Sequence, residues 1–175
     1  MDKYFKGSRV DLEPFEEWHI EETREWINNE YITMHMGGRF PVGVAEQNAW
    51  YKNLMKDKTK KKLIVVDKSL KDVGMVSLLN IDHKNQNTEV GIYISPEYQG
   101  KGYAKEALSM ILNFAFRELN MHKIYAFIYI DNSPSRKLFE SVGFFHEYTD
   151  AEAVYSNNKF VDICKYSIFK KDIVL

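Results

Sequence analysis

The sequence predicts an α+β domain with a mixed, mostly antiparallel sheet of about seven strands and helices on both faces. Three observations lead there. Between Leu63 and Ile94, short apolar runs alternate with polar turns, the rhythm of an antiparallel meander. From Ala104 to Leu119 the apolar residues recur at helical spacing instead. Directly after that helix, Lys123 to Ile130 is apolar almost throughout and reads as a buried strand parallel to Thr88–Ile94.

The elements follow in order. Ser8 to Glu13 is a short opening strand, and Glu16 to Asn29 a helix with Trp18 and Trp26 among its apolar anchors. Gly37 to Pro41 is a loop by its glycines and proline, and Ala45 to Met55 a second helix carrying Trp50 and Leu54. Leu63–Asp67 and Val73–Ile81 are strands joined by the polar turn Lys68–Asp72; Asp82–Asn87 is a turn before the strand Thr88–Ile94. The long helix runs from about Gly102 to Leu119. A short one spans Ser133–Val142, with Asp131, Asn132 or Ser133 as cap and Gly143 as stop. Phe144–Val154 and Phe160–Phe169 close the chain as a hairpin around Ser156–Lys159, with an edge that a second copy could pair with to form a homodimer.

Composition narrows the function classes. A chain of 175 residues without repeats or linker-like stretches reads as one domain over 1–175. Its 45% hydrophobic and 28% charged content is that of a soluble globular protein, and 14% aromatics can both fill a core and line a pocket. A net charge of −1 provides no basic field, so nucleic acid is not the expected partner. The single cysteine, Cys164, excludes an internal disulfide framework and lies in a strand-like run as a buried thiol. The five histidines lack metal-ligand spacing, so no metal is expected. No apolar stretch reaches membrane-spanning length and Met1–Tyr4 lacks a signal-peptide core, which makes a cytoplasmic location the expectation.

The informative stretch is Ser95-Pro96-Glu97-Tyr98-Gln99-Gly100-Lys101-Gly102-Tyr103-Ala104, which leaves a strand and opens the long helix. Gly100 and Gly102 allow backbone to approach a ligand closely and to turn several N–H groups outward. The helix behind them adds unpaired N–H groups and the positive end of its dipole, a setting suited to an anionic pyrophosphate. It is no P-loop, because Lys101 is followed by Gly102 rather than Ser or Thr. Nor is it a dinucleotide fingerprint, because Lys105 stands where the third glycine belongs.

Gln99-x-x-Gly102-x-Ala104 resembles the coenzyme A signature of the GNAT family of N-acetyltransferases, whose form is Gln/Arg-x-x-Gly-x-Gly/Ala. Asn132-x-x-Ser135-x-x-Leu138-Phe139-x-x-x-Gly143-Phe144 resembles that family's other coenzyme-contacting block, and one helix and one strand lie between the two, as the family requires. The likeness is strong from Thr88 to Phe144 and weak before Leu63. The stretch Pro96 to Gly102 is most similar to the group of spermidine and ribosomal-protein N-terminal acetyltransferases.

The resemblance implies a splayed central pair of parallel strands with the pantetheine arm of acetyl-CoA between them. Backbone of Ile92, Tyr93 and Ile94 would meet that arm, and an N–H there would polarise the thioester carbonyl. Main chain of Gln99, Gly100, Lys101, Gly102, Tyr103, Ala104 and Lys105 would cradle the pyrophosphate; Asn132 would bond the pantetheine, and Ser135 would open the flanking helix. Glu89 is the candidate general base, alternating with apolar Val90, Ile92 and Ile94 on its strand. The implied reaction is direct attack of an amine on the thioester. The acceptor would be a small amine, polyamine or amino sugar, or a protein N-terminus.

The sequence departs from the commoner family pattern at Phe139, where many relatives carry a tyrosine that protonates the leaving thiolate. Tyr166 and Tyr103 are other phenols that could serve. The same departure favours the alternative of an acyl-CoA-binding sensor with weak turnover. The basic run Lys56, Lys58, Lys60, Lys61 and Lys62 reads as a solvated loop, although it could attract the coenzyme's 3′-phosphate. Glu16, Glu17, Glu21, Glu22 and Glu25 give the first helix an acidic face that would suit a cationic acceptor.

Overall fold

The structure is a computed structural model that describes residues 4–34, 41–156 and 158–172. Residues 37–40 of the expected loop and Asn157 of the closing turn lie outside the described residues. The strands are β1 (Val10–Pro14), β2 (Lys61–Asp67), β3 (Asp72–Asp82), β4 (Asn87–Ile94), β5 (Lys123–Tyr129), β6 (Phe145–Ser156) and β7 (Lys159–Phe169). They form one sheet in the order β1-β2-β3-β4-β5-β7-β6. Every pairing is antiparallel except β4 with β5, the parallel pair expected from the apolar run of β5 behind a helix, although β5 alternates buried with less buried side chains and leaves Phe127 exposed. The helices are α1 (Ile20–Asn28), α2 (Glu30–Thr33), α3 (Val44–Lys56), α4 (Tyr103–Arg117) and α5 (Ser133–Glu140).

Alternation along the strands sends side chains into two cores on opposite faces of the sheet. Ile64, Val66 and Met75 point to one face, where they meet Trp26 of α1 and Leu54 of α3. Val65, Val76, Leu78, Val90 and Ile94 point to the other, against Leu108, Ile111, Leu112 and Ala115 of α4. Each such aliphatic or aromatic side chain stabilises the fold by about 1.5–3 kcal/mol on burial. Helix α4 is therefore fixed to the sheet over its whole length, and its N-terminus is held at the carboxyl end of β4.

Two expectations need correction. Trp18 is no anchor, being 75% exposed. The segment begins with a tight turn over Glu17–His19, and α1 starts only at Ile20, so the buried series is Ile20, Thr23 and Trp26. That turn shifts Trp18 out of phase with the helix behind it. The basic run is not wholly a loop either: pairing of Lys61 with Leu78 and of Lys62 with Ser77 draws both lysines into β2.

Candidate active site

Strands β4 and β5 pair only through Asn87–Lys123, Thr88–Ile124 and Glu89–Tyr125. Beyond Glu89 they part, and a cavity of about 720 Å³ opens in the wedge. Ile92, Tyr93 and Ile94 line one wall, Ala126 to Tyr129 the other, and Gly102 and Ala104 the end formed by α4. The backbone directions follow from the β3 ladder. Ser95 N–H donates to the Val73 carbonyl, and Gly74 faces Ile94 in the register. Main-chain groups alternate sides along a strand, so those of Ile92 and Ile94 point into the wedge while those of Gly91 and Tyr93 bond to β3. Tyr93 thus offers the cavity no free main-chain donor; its ring stands edge-on to Trp26, with centroids 5.5 Å apart.

The loop from β4 to α4 is built for backbone exposure. The Gln99 side-chain amide donates to the Ile94 carbonyl at 2.9 Å, which secures the loop to the strand end. Gly100 and Gly102 take φ of +74° and +80°, a left-handed conformation that carries little cost only for glycine. Gly102 caps α4 without any side-chain hydrogen bond, so the first N–H groups of the helix keep their donors for a ligand. This donor set fits the pyrophosphate of coenzyme A. Gln99, Gly100, Gly102, Tyr103 and Ala104 line the cavity, whereas Lys101 and Lys105 do not. The Lys101 ammonium instead lies 4.9 Å from the Tyr98 ring centroid.

Glu89 lines the same cavity from the face that carries α1 and α3. Burial pushes its carboxyl above the usual carboxylate range, and a 3.1 Å hydrogen bond donated by the Asn80 amide to Oε2 offsets only part of that shift. Gly91, next on that face, has open space where a side chain would stand. Lys62 and Ser77 continue the row across β2 and β3, and the Lys62 ammonium donates to Ser77 Oγ at 3.3 Å. The sequence does not single out Asn80 or Gly91 for the site, and offers Lys62 only as one of the basic run.

The second block stands beside the same cavity. Asn132 and Ser135 both line the cavity, and Asn132 Oδ1 caps α5 by accepting from Ser135 N–H at 3.1 Å. Phe139 also lines it, edge-on to Phe144. Tyr166 does not; its hydroxyl donates to Glu140 at 2.9 Å, which removes it from the candidates for thiolate protonation. Tyr103 remains, joined by Tyr129 on β5. Cys164 is buried beside Thr149, 3.6 Å away. Among the described residues no group of three His, Cys, Asp or Glu side chains could hold a metal ion, and no helix is long and apolar enough to cross a membrane.

A family model described as an acetyltransferase (GNAT) domain matches residues 9–145. The spermidine N(1)-acetyltransferase of Vibrio cholerae is 30% identical over 120 residues, 69% of each chain. The putative ribosomal N-acetyltransferase YdaF of Bacillus subtilis is 32% identical over 99 residues, 57% of this chain and 54% of the relative. A crystal structure of spermidine N-acetyltransferase from Vibrio cholerae in complex with CoA and spermine superposes with a TM-score of 0.90 at 26% identity, covering 95% of this chain and 98% of that one. The chain belongs to the GNAT acetyltransferase family and is an N-acetyltransferase.

Proposed function

We propose that the acetyl donor is acetyl-CoA, held with its pyrophosphate against main chain from Gln99 to Lys105, and that the acceptor is a primary amine delivered past Glu89. The observation that carries this reading is the uncapped start of α4 behind two left-handed glycines, at the end of a wedge walled by unpaired β4 backbone. A polyamine acceptor is supported by the relatives named as spermidine acetyltransferases and by the acidic residues Glu21, Glu22 and Glu25 of α1. A small amine, an amino sugar or a protein N-terminus presents the same nucleophile, and the likeness to a putative ribosomal N-acetyltransferase supports the last.

An alkyl ammonium with a pKa near ~10.4 yields free amine at pH 7 at a cost of about 4–5 kcal/mol. Glu89 lowers that cost by taking the proton, directly or through water; a carboxyl raised by burial is a stronger base than one in solvent. The donor supplies an activated thioester carbonyl. The Ile92 N–H, directed into the wedge, donates to the carbonyl oxygen as negative charge develops there. Two protons leave the nitrogen in all: one passes through Glu89 to solvent and the other ends on sulfur. Phe139 cannot deliver the latter, so it comes from water or from Tyr103 or Tyr129. A thiol of pKa near ~8.5 tolerates departure as thiolate.

An amine panel assayed for thiol release, with mass spectrometry of the products, tests the acceptor. Binding of coenzyme without thiol release from any amine would instead mark an acyl-CoA sensor. Glu89→Gln is expected to lower kcat mainly below pH 8 while leaving coenzyme affinity intact. An unchanged pH–rate profile would remove Glu89 from the mechanism.

A further inference from the structure

Arg9 stands 92 positions before Lys101 in sequence, yet its Nη1 donates to the Lys101 carbonyl at 3.0 Å. The same guanidinium lies 3.3 Å from where a side chain on Gly102 would begin. Lys101 C=O and Gly102 N–H share one trans peptide plane and point in opposite directions. A cation holding the carbonyl from behind therefore fixes the direction of the N–H in front, and Gly102 lines the cavity. The cation also polarises the peptide, which makes that N–H a better donor to an anion.

Arg9 is itself held in place by the helix that it serves. The Glu106 carboxylate, in the first turns of α4, accepts from the main-chain N–H groups of Ser8, Arg9 and Val10 at 2.7, 2.8 and 3.1 Å, and from the Ser8 hydroxyl at 2.7 Å. Burial pushes the Glu106 carboxyl up, but these hydrogen bonds outweigh it and hold the group below its ordinary value, as a carboxylate. A bare carboxylate so near the helix start would repel a phosphate. Three N–H groups occupy its oxygens and disperse its charge, and the side chain they position is a guanidinium directed at the loop.

We propose that Arg9 is a positioning residue for coenzyme binding: from behind the loop it clamps the Lys101–Gly102 peptide and aims the Gly102 N–H at the pyrophosphate. This rests on the coenzyme reading of the Gln99–Lys105 loop. The test compares three acetyl donors that share one thioester: acetyl-CoA, its 3′-dephospho form, and S-acetylpantetheine, which lacks the pyrophosphate. In the wild type, kcat/KM should favour the two pyrophosphate donors. Arg9→Gln should cut that preference by roughly tenfold, as expected for loss of a charge-assisted hydrogen bond, with the loss in donor KM rather than in kcat. Arg9→Lys, which keeps the charge and a donor, should retain part of the preference.

An equal fall for all three donors would overturn the proposal, because general damage to the fold spares no donor. A fall confined to acetyl-CoA would also overturn it, by showing Arg9 paired directly with the 3′-phosphate. A wild type that does not discriminate between pyrophosphate donors and S-acetylpantetheine would instead overturn the loop reading beneath it.

Discussion

Asn80 shows how a single residue conditions the chemistry proposed for Glu89. Its backbone has φ +51°, a left-handed conformation that asparagine adopts at less cost than most residues. The register between β3 and β4 shifts just there, between Leu79 and Asp82, and the buried Thr88 hydroxyl ties down the Leu79 carbonyl at 2.8 Å. A bulge of this kind re-aims a side chain, and here the Asn80 amide reaches the Glu89 carboxylate. That donor stabilises the charged form and restrains the rise due to burial. Asn80→Gly keeps the left-handed backbone but removes the donor, so the Glu89 pKa should rise further. The acid limb of the kcat/KM profile then moves to higher pH; a limb that stays in place would uncouple Asn80 from the base. Phe139 invites the opposite change, a gain. Phe139→Tyr offers a proton donor to the departing sulfur and could raise kcat by up to about 10²-fold. Leaving the new hydroxyl without a partner would cost about 1–3 kcal/mol of stability. Thiol-release kinetics alongside melting curves separate the two, since lower kcat and lower Tm together would mean that the hydroxyl does not reach the reacting sulfur.

At the scale of elements, α1 meets the start of β3 through an unfavourable contact of two acids. Burial, then the nearby Asp72 carboxylate, pushes Glu22 from 4.5 up to about 7. The folded protein therefore binds this proton more tightly than the unfolded chain does, and stability falls as pH rises from the unfolded value through the folded one. Glu22→Gln removes the titrating group, so Tm should rise at pH 8 and the gain should vanish at pH 4. An equal shift at both pH values would show that the effect is not proton-linked. The contact also illustrates what sequence could and could not disclose. The strands and α4 were legible because periodicity is local, and the phosphate-binding loop because its glycines, preceding strand and following helix are contiguous. Arg9, by contrast, reaches Lys101 only because Glu106 gathers the N–H groups of residues 8–10 beneath α4. Lys62 reads as one of a run of lysines until pairing with Ser77 places it on the cavity face. Trp18 misleads for a similar reason, since a tight turn resets the helical phase after it. The position of Tyr166 also needed the fold, because its hydroxyl donates to Glu140 rather than lining the cavity.

The whole molecule is two sheet halves, β1–β4 and β5–β7, joined edge to edge by a parallel ladder that ends at Glu89 and Tyr125. Past that point the structure leaves main-chain donors of β4 without a strand partner, a costly arrangement in a buried sheet unless water or a ligand completes it. A ligand that binds only the folded form stabilises it by about 2.7 kcal/mol at a hundred times its Kd. The melting temperature should therefore climb with coenzyme concentration. Amide hydrogen exchange tests the same idea residue by residue. Without coenzyme, the Gly91 and Tyr93 amides, bonded to β3, should exchange slowly, while those of Ile92 and Ile94, facing the wedge, should exchange faster. Coenzyme A should slow Ile92 above all, because the pantetheine arm lies along that edge in the proposed complex. Gly102→Glu places bulk and negative charge at the pyrophosphate position, where φ +80° already disfavours a side chain, and should abolish both the protection and the rise in Tm. If coenzyme A instead raised Tm while leaving Ile92 exchange unchanged, binding would lie outside the wedge, and the thioester would be out of reach of both Glu89 and the Ile92 N–H.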